Sequence, residues 1–211
     1  MKDFLEKLRT DAWRTSNSRY DAARRLKRRD LLATFSISMF SALTVAIAFF
    51  QKLYGPGPST WLDNYLTAFT VCLGICILVI SLIEWGVSNG VRSAALYRNA
   101  EELNSFQREL SQKLVEFESK GILSIGEINT AREKYEQIKK SCEHNHSPID
   151  DWHVRAVRRH SPEFCDTNKR PTMHWIEAER IRVAWTISTI SYFGILWLIV
   201  VGLSILPFYL S

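Results

Sequence analysis

The amino-acid sequence predicts an all-α membrane protein: a transmembrane helical hairpin plus a third transmembrane helix, with long cytosolic helices forming a small bundle. Three observations lead there. Leu31–Phe50, Tyr65–Ile83 and Val183–Ser211 run for 20, 19 and 29 residues without a charge in a chain of 211. About 20 apolar residues at 1.5 Å rise match a bilayer core of ~30 Å. The charges fill the gaps between these blocks, so a composition of 46% hydrophobic and 23% charged residues averages over two kinds of segment. Finally, Leu96, Leu103, Leu110 and Phe117 repeat every seven residues between charged neighbours, the pattern of a helix with one apolar seam.

Residues 1–30 form a basic helical arm. Leu5, Leu8, Ala12, Ala23 and Leu26 recur at helical spacing, and neither Pro nor Gly occurs before Gly55. Ten Lys/Arg stand against five Asp/Glu here, which accounts for the net charge of +5. The arm is far longer than the leader of a signal peptide, so the first apolar block reads as a retained span. Arg24, Arg25, Arg28 and Arg29 come just before that span. They are candidates for lipid phosphate contact by snorkelling, or for contact with an anionic partner such as a nucleotide or nucleic acid.

Residues 31–83 form the hairpin, with spans 31–50 and 65–83. Gly55-Pro56-Gly57-Pro58-Ser59 cannot continue a helix and marks its turn, flanked by Tyr54, Trp61 and Tyr65 at headgroup level. Thr34, Ser38, Ser41 and Thr44 fall on one face of the first span. Hydroxyls so placed either bridge packed helices or line a narrow aqueous path once copies assemble. Ser36 lies on the opposite side, and Ser38, Ala42 and Ala46 form a row of small residues. No Asp, Glu, Lys, Arg or His lies inside a span, which argues against a proton-coupled transporter.

Residues 84–182 carry sixteen charges of each sign. The second span is expected to continue as a helix through the heptad seam, with Ala100, Phe106 and Leu114 as its second row. Gly121 and Gly126 bracket a turn. Ile128, Ala131, Tyr135 and Ile138 then make an amphipathic helix that packs back, against the arm as the simplest closure. Cys142–Pro171, with Pro148 and Pro162, breaks the pattern and reads as loop or short pieces. Trp175–Arg182 resumes a helix and leads into the third span, 183–208. The excess of Lys and Arg before the first span places the N-terminus and the 84–182 segment on the cytoplasmic side, with the C-terminus outside. In that setting Cys142 and Cys165 are expected to be reduced, and no structural disulfide is expected.

Chemistry is sparse. All five histidines fall between His144 and His174. Cys142, His144 and His146 could ligate zinc, but no Cys-x-x-Cys or helical His pair supports them, so no metal is assigned. Asp150-Asp151 reads as a turn or a cap. No nucleophile elbow, phosphate loop, dinucleotide turn or His-Glu-x-x-His motif occurs. A non-enzymatic protein without a cofactor is expected.

A longer pattern runs through these segments. Arg19-Tyr20 and Ala23 precede the hairpin. Tyr97-x-x-Ala100-x-x-Leu103 and Glu109-Leu110 follow it. Tyr135 and Ile138 come next, then Glu143-His144-Asn145-His146-Ser147 and Asp150-Asp151. In order and spacing this resembles the SLATT domain, a two-span effector of bacterial conflict systems, over roughly residues 10–185. Tyr97, Glu143, Asn145, His146 and Asp150 are the cytosolic motif positions of that resemblance.

The resemblance implies a pore-forming or membrane-disrupting effector of the inner membrane, active as a homo-oligomer in abortive infection. It also implies a sensor or inhibitor encoded nearby: a reverse transcriptase with its nucleic acid, as in retrons, or a nucleotide-messenger synthase. The third apolar block departs from the two-span pattern, and no nucleotide pocket transfers residue by residue. Two other readings of the same residues are a non-toxic membrane scaffold or channel subunit, and a membrane-anchored receptor for nucleic acid or nucleotide.

Overall fold

A computed structural model describes residues 2–54, 60–120 and 124–210. The expected turn at Gly55–Ser59 and its counterpart at Gly121 lie outside these residues. Among the described residues six α-helices follow in order: α1 (Lys2–Tyr54), α2 (Trp61–Val87), α3 (Asn89–Lys120), α4 (Ile125–Lys140), α5 (Pro148–Val157) and α6 (Trp175–Leu210). One 3-10 turn, Pro162–Phe164, and one isolated bridge, Cys165 to Pro171, lie between α5 and α6. Thus Cys142–Pro171 is not wholly irregular. A ten-residue helix forms there because Pro148 takes its first turn, where no amide hydrogen is needed.

Helical structure carries from the second span into the seam, with one break. Ser88 adopts φ 51°, ψ 48°, ending α2 before α3 begins. Its amide donates to the Glu84 carbonyl at 2.8 Å and its hydroxyl to the Trp85 carbonyl at 2.9 Å. The Asn89 side-chain amide donates to the Glu84 carboxylate at 3.1 Å. The continuous helix expected across this point is therefore interrupted at a single residue, whose left-handed backbone is held by these contacts.

The chain divides into two compact units. The first comprises Met1–Lys27 and Gly90–Ile187. Here the seam of α3 finds its cover. Leu103, Phe106, Leu110 and Leu114 are buried with Leu5, Leu8 and Ala12 of α1 and Ala131 and Tyr135 of α4. Further along, Leu96 packs with Ala22, Ala23 and Leu26. Burying a Leu or Phe side chain contributes roughly 1.5–3 kcal/mol, so this row outweighs any propensity term. Ala12 and Ala100 are wholly buried, and Ser16 donates to the Ala100 carbonyl at 3.0 Å, so α1 and α3 approach closely where the side chains are small. Ser124 and Glu127 form a reciprocal cap at the start of α4.

The second unit comprises Arg28–Asn89 and Ser188–Ser211. Phe40, Phe69, Leu73, Ile80, Phe193 and Val200 form its core. Trp197 packs its ring 5.0 Å from that of Phe40 and donates its indole N–H to the buried Ser36 hydroxyl at 3.1 Å. Its outside is apolar: Phe35, Val45, Phe49, Ile75, Leu78, Leu82, Ile195 and Leu198 are all exposed. Among the described residues three helices are long and apolar enough to cross a membrane, and in each only 17% of the most apolar window is buried within the protein. A helix apolar all round with so little internal cover belongs in hydrocarbon. The molecule is an all-α membrane protein.

Candidate functional site

The most organised polar feature of the first unit is a buried carboxylate. Ser18, Asp21, Ala22 and Arg25 stand at i, i+3, i+4 and i+7, a single stripe of α1. The stripe faces α5. Arg25 donates Nε to Asp150 Oδ1 at 2.8 Å and a terminal nitrogen to Oδ2 at 2.9 Å, a two-point clamp. Ser147, three residues before Asp150, donates both its amide, at 3.0 Å, and its hydroxyl, at 2.7 Å, to Oδ2. Trp185 of α6 donates its indole N–H to Oδ1 at 3.2 Å. Asp150 is fully buried. Five donors, from two helices and the residue capping α5, thus converge on one side chain.

Burial pushes the Asp150 carboxyl upward. The hydrogen bonds from Arg25 and Ser147, with the Arg25 charge, outweigh it and hold the group below its ordinary range. Asp150 is therefore ionised when folded. Beside it the His153 ring stacks on Trp185 with centroids 4.3 Å apart, and its Nδ1 lies 2.6 Å from Asp21 Oδ2. Ser18 donates to Asp151 at 3.2 Å.

A second knot lies where α1, α3 and the end of α4 meet. Arg19 is hydrogen-bonded to the Asn99 side chain and to the Lys139 carbonyl. Asn99 in turn donates to the Ile138 carbonyl at 2.5 Å and to Ser141 at 3.0 Å. The last carbonyls of α4, which have no partner within their own helix, are satisfied this way. Burial lowers the Arg19 guanidinium from its ordinary value.

Of the motif positions, Asp150 is the centre of the clamp. His146 is half-buried, with no hydrogen-bond partner for Nδ1 among the described residues. Burial lowers its imidazole; Asp151 opposes this and Arg19 reinforces it, so the neutral ring is favoured. Tyr97 is exposed and meets Tyr20 edge-on at 5.3 Å. Glu143 and Asn145 are exposed; the Asn145 side-chain Oδ1 accepts the His146 amide at 3.0 Å. Among the described residues no group of three His, Cys, Asp or Glu could hold a metal ion, and Cys142 packs against the Leu96 cluster.

The arginines placed before the first span divide. Arg25 does not reach lipid: its side chain is 12% exposed and engaged with Asp150. It lies on the buried stripe, one turn beyond Ala22. Arg24 is exposed and pairs with Asp21 at 3.1 Å, and Arg29 donates to the Ser188 carbonyl. Arg28 is exposed.

On the hydroxyl face, Thr34, Ser38 and Ser41 are exposed and Thr44 is half-buried. Thr34, Ser38 and Thr44 donate to the carbonyls of Asp30, Thr34 and Phe40, four residues back.

Sequence reasoning missed Trp185 and His153 as members of the clamp. Trp185 sits inside a charge-free block and reads as membrane. The usable signals were the Ser147-x-x-Asp150 cap pattern and the polar stripe from Ser18 to Arg25.

No curated protein and no solved structure matches the chain. One family model does, the SMODS and SLOG-associating 2TM effector domain family 5, over residues 1–206. The match takes in most of α6, so the third apolar helix falls inside the domain despite the two spans of its title. With three apolar helices under one match spanning nearly the whole sequence, the chain belongs to the SLATT effector family, as its fifth subgroup, and is a membrane effector of conflict systems.

Proposed function

We propose that the chain is the membrane effector of a bacterial antiviral defence system of the abortive-infection kind. It oligomerises to permeabilise or depolarise the inner membrane when triggered, and does so without enzymatic chemistry or a cofactor. The observation that carries the reading is the outward apolar surface of three helices within a SLATT effector match. The exposed Thr34, Ser38 and Ser41 face, with Ala42 and Ala46 beside it, suits close contact with a second copy or a wetted path. The first unit, with its mixed charge and exposed Tyr97, is the part that receives the signal in the cytoplasm. The N-terminus is cytoplasmic, in keeping with the basic arm, and the C-terminus periplasmic. The signal comes from a sensor or inhibitor encoded nearby, a reverse transcriptase with its nucleic acid or a nucleotide-messenger synthase.

A potential-sensitive dye tests this directly. Induced expression of the chain without its neighbouring genes, or with the trigger supplied, collapses the membrane potential within the time that growth stops. Full growth and an unchanged dye signal under triggering conditions refute it.

A further inference from the structure

Between α5 and the first turns of α6 the surface of the first unit is cut by a groove of about 480 Å³. It is lined by the apolar Ile149, Trp152, Met173, Ile181 and Ala184 and by the charged Arg155, Arg180 and Glu177. On one side it meets a hollow of about 350 Å³ that shares Arg155, Met173 and Glu177 and adds Arg14. On the other, past Arg180 and Ala184, it meets a hollow of about 530 Å³ walled by Val183 and Ile187. Polarity therefore changes along α6, from Glu177 among arginines to Ile187 among apolar side chains, over roughly 15 Å at 1.5 Å per residue.

The cations are not used up. Arg180 is exposed and forms no ion pair among the described residues. Arg155 reaches Asp151 at 2.9 Å while remaining about half exposed. Arg14 donates a terminal nitrogen to the Glu163 carbonyl and lies over the Phe164 ring, while its buried Nε has no hydrogen-bond partner among the described residues. Trp152 and Trp175 beside them are 52% and 58% exposed, large apolar rings with one polar tip. Such rings settle where hydrocarbon gives way to headgroups.

We propose that this groove binds a phospholipid drawn from the adjoining leaflet. Its phosphate sits between Arg155 and Arg180. Its acyl chain crosses Trp152, Ile181 and Ala184 and runs down past Val183 and Ile187. Two observations favour lipid over a second copy of the chain. The two arginines outnumber the one acid of the lining, Glu177, and complement a phosphate, and the apolar end lies on the charge-free stretch of α6 that begins at Val183 and belongs to a membrane-crossing helix. The inference rests on residence in a bilayer and not on permeabilisation, so it stands or falls separately from the proposed activity.

Native mass spectrometry of the full chain in detergent tests it, with phosphatidylglycerol and, separately, inorganic phosphate as probes. The tightest phosphatidylglycerol adduct is expected to be 1:1 and to survive millimolar inorganic phosphate. Arg180→Gln and Arg155→Gln each weaken it about five-fold, the factor that goes with one cation near an anionic lipid. Ala184→Trp fills the groove from an exposed position and removes the adduct. Arg180→Gln, at an exposed site, gives the answer even if Ala184→Trp disturbs folding. Adducts indifferent to both variants overturn the proposal. So does displacement by free phosphate, or a change of oligomer mass in Ala184→Trp, which would assign the groove to a protein partner.

Discussion

Removing Arg25 is the sharpest test of the clamp around Asp150. Arg25→Met deletes two of the five donors and the one cation that, among the described residues, is bonded to a carboxylate with no solvent access. Breaking a buried pair from one side costs about 3–5 kcal/mol, because the remaining charge is stranded. The three donors left, the Ser147 amide and hydroxyl and the Trp185 indole, soften this, so about 3 kcal/mol is the working figure. At 2–4 °C per kcal/mol for a chain of this size, the melting temperature falls by roughly 10 °C. Asp150→Leu alone strands Arg25, whose side chain has a partial route to water, and costs less. The double variant Arg25→Met/Asp150→Leu removes both charges and costs about 2 kcal/mol less than the sum of the two singles. Thermal unfolding of the full chain in detergent, followed by far-ultraviolet circular dichroism, measures all four proteins. A drop under 2 °C for Arg25→Met, or a double variant as weak as the sum of the singles, would refute the reasoning.

Other perturbations probe other layers. Leu103→Ala empties a fully buried position between α1, α3 and α4, and should cost about 2–5 kcal/mol in the same melt. Stability should be level just above neutral pH and decline in strong alkali, where an unfolded chain ionises Tyr20 and the folded one resists. It declines as pH falls below 6.5, where an unfolded chain protonates His146 and the folded one resists, and declines again below 3.8 as Asp150 loses its charge. His146→Gln should flatten the upper decline and leave the lower one, read as melting temperature against pH. Ser38→Leu/Ser41→Leu should insert normally yet reduce killing at least ten-fold in a plating assay; undiminished killing would separate the hydroxyl face from activity.

The spans were legible because a bilayer imposes a length and forbids charge, and Leu31–Phe50 or Tyr65–Ile83 meets both demands by simple inspection. The seam was legible for a related reason: Leu96, Leu103 and Leu110 repeat at the period of a helix face, and such a face needs cover. The clamp was harder to see. Five basic residues crowd between Arg24 and Arg29, and which one turns inward depends on the phase of α1 against α5, fixed by Ala22 and Leu26 rather than by Arg25 itself. Trp185 was hidden by its apolar neighbours, since a string of residues does not say which side of a helix meets another helix. Ser88 was equally opaque. A single left-handed residue leaves no mark within Gly86-Val87-Ser88-Asn89-Gly90, and only the contacts that Ser88 and Asn89 make to Glu84 and Trp85 reveal it.

The hydroxyls of the first span lead to a last consequence. Because Thr34 and Ser38 spend their hydrogens on their own helix, neither leaves a bare donor toward hydrocarbon. Their oxygens still have a lone pair to offer. Such a surface can rest among acyl chains at small cost and be wetted when water arrives, with no side chain needing to be rebuilt between the two conditions.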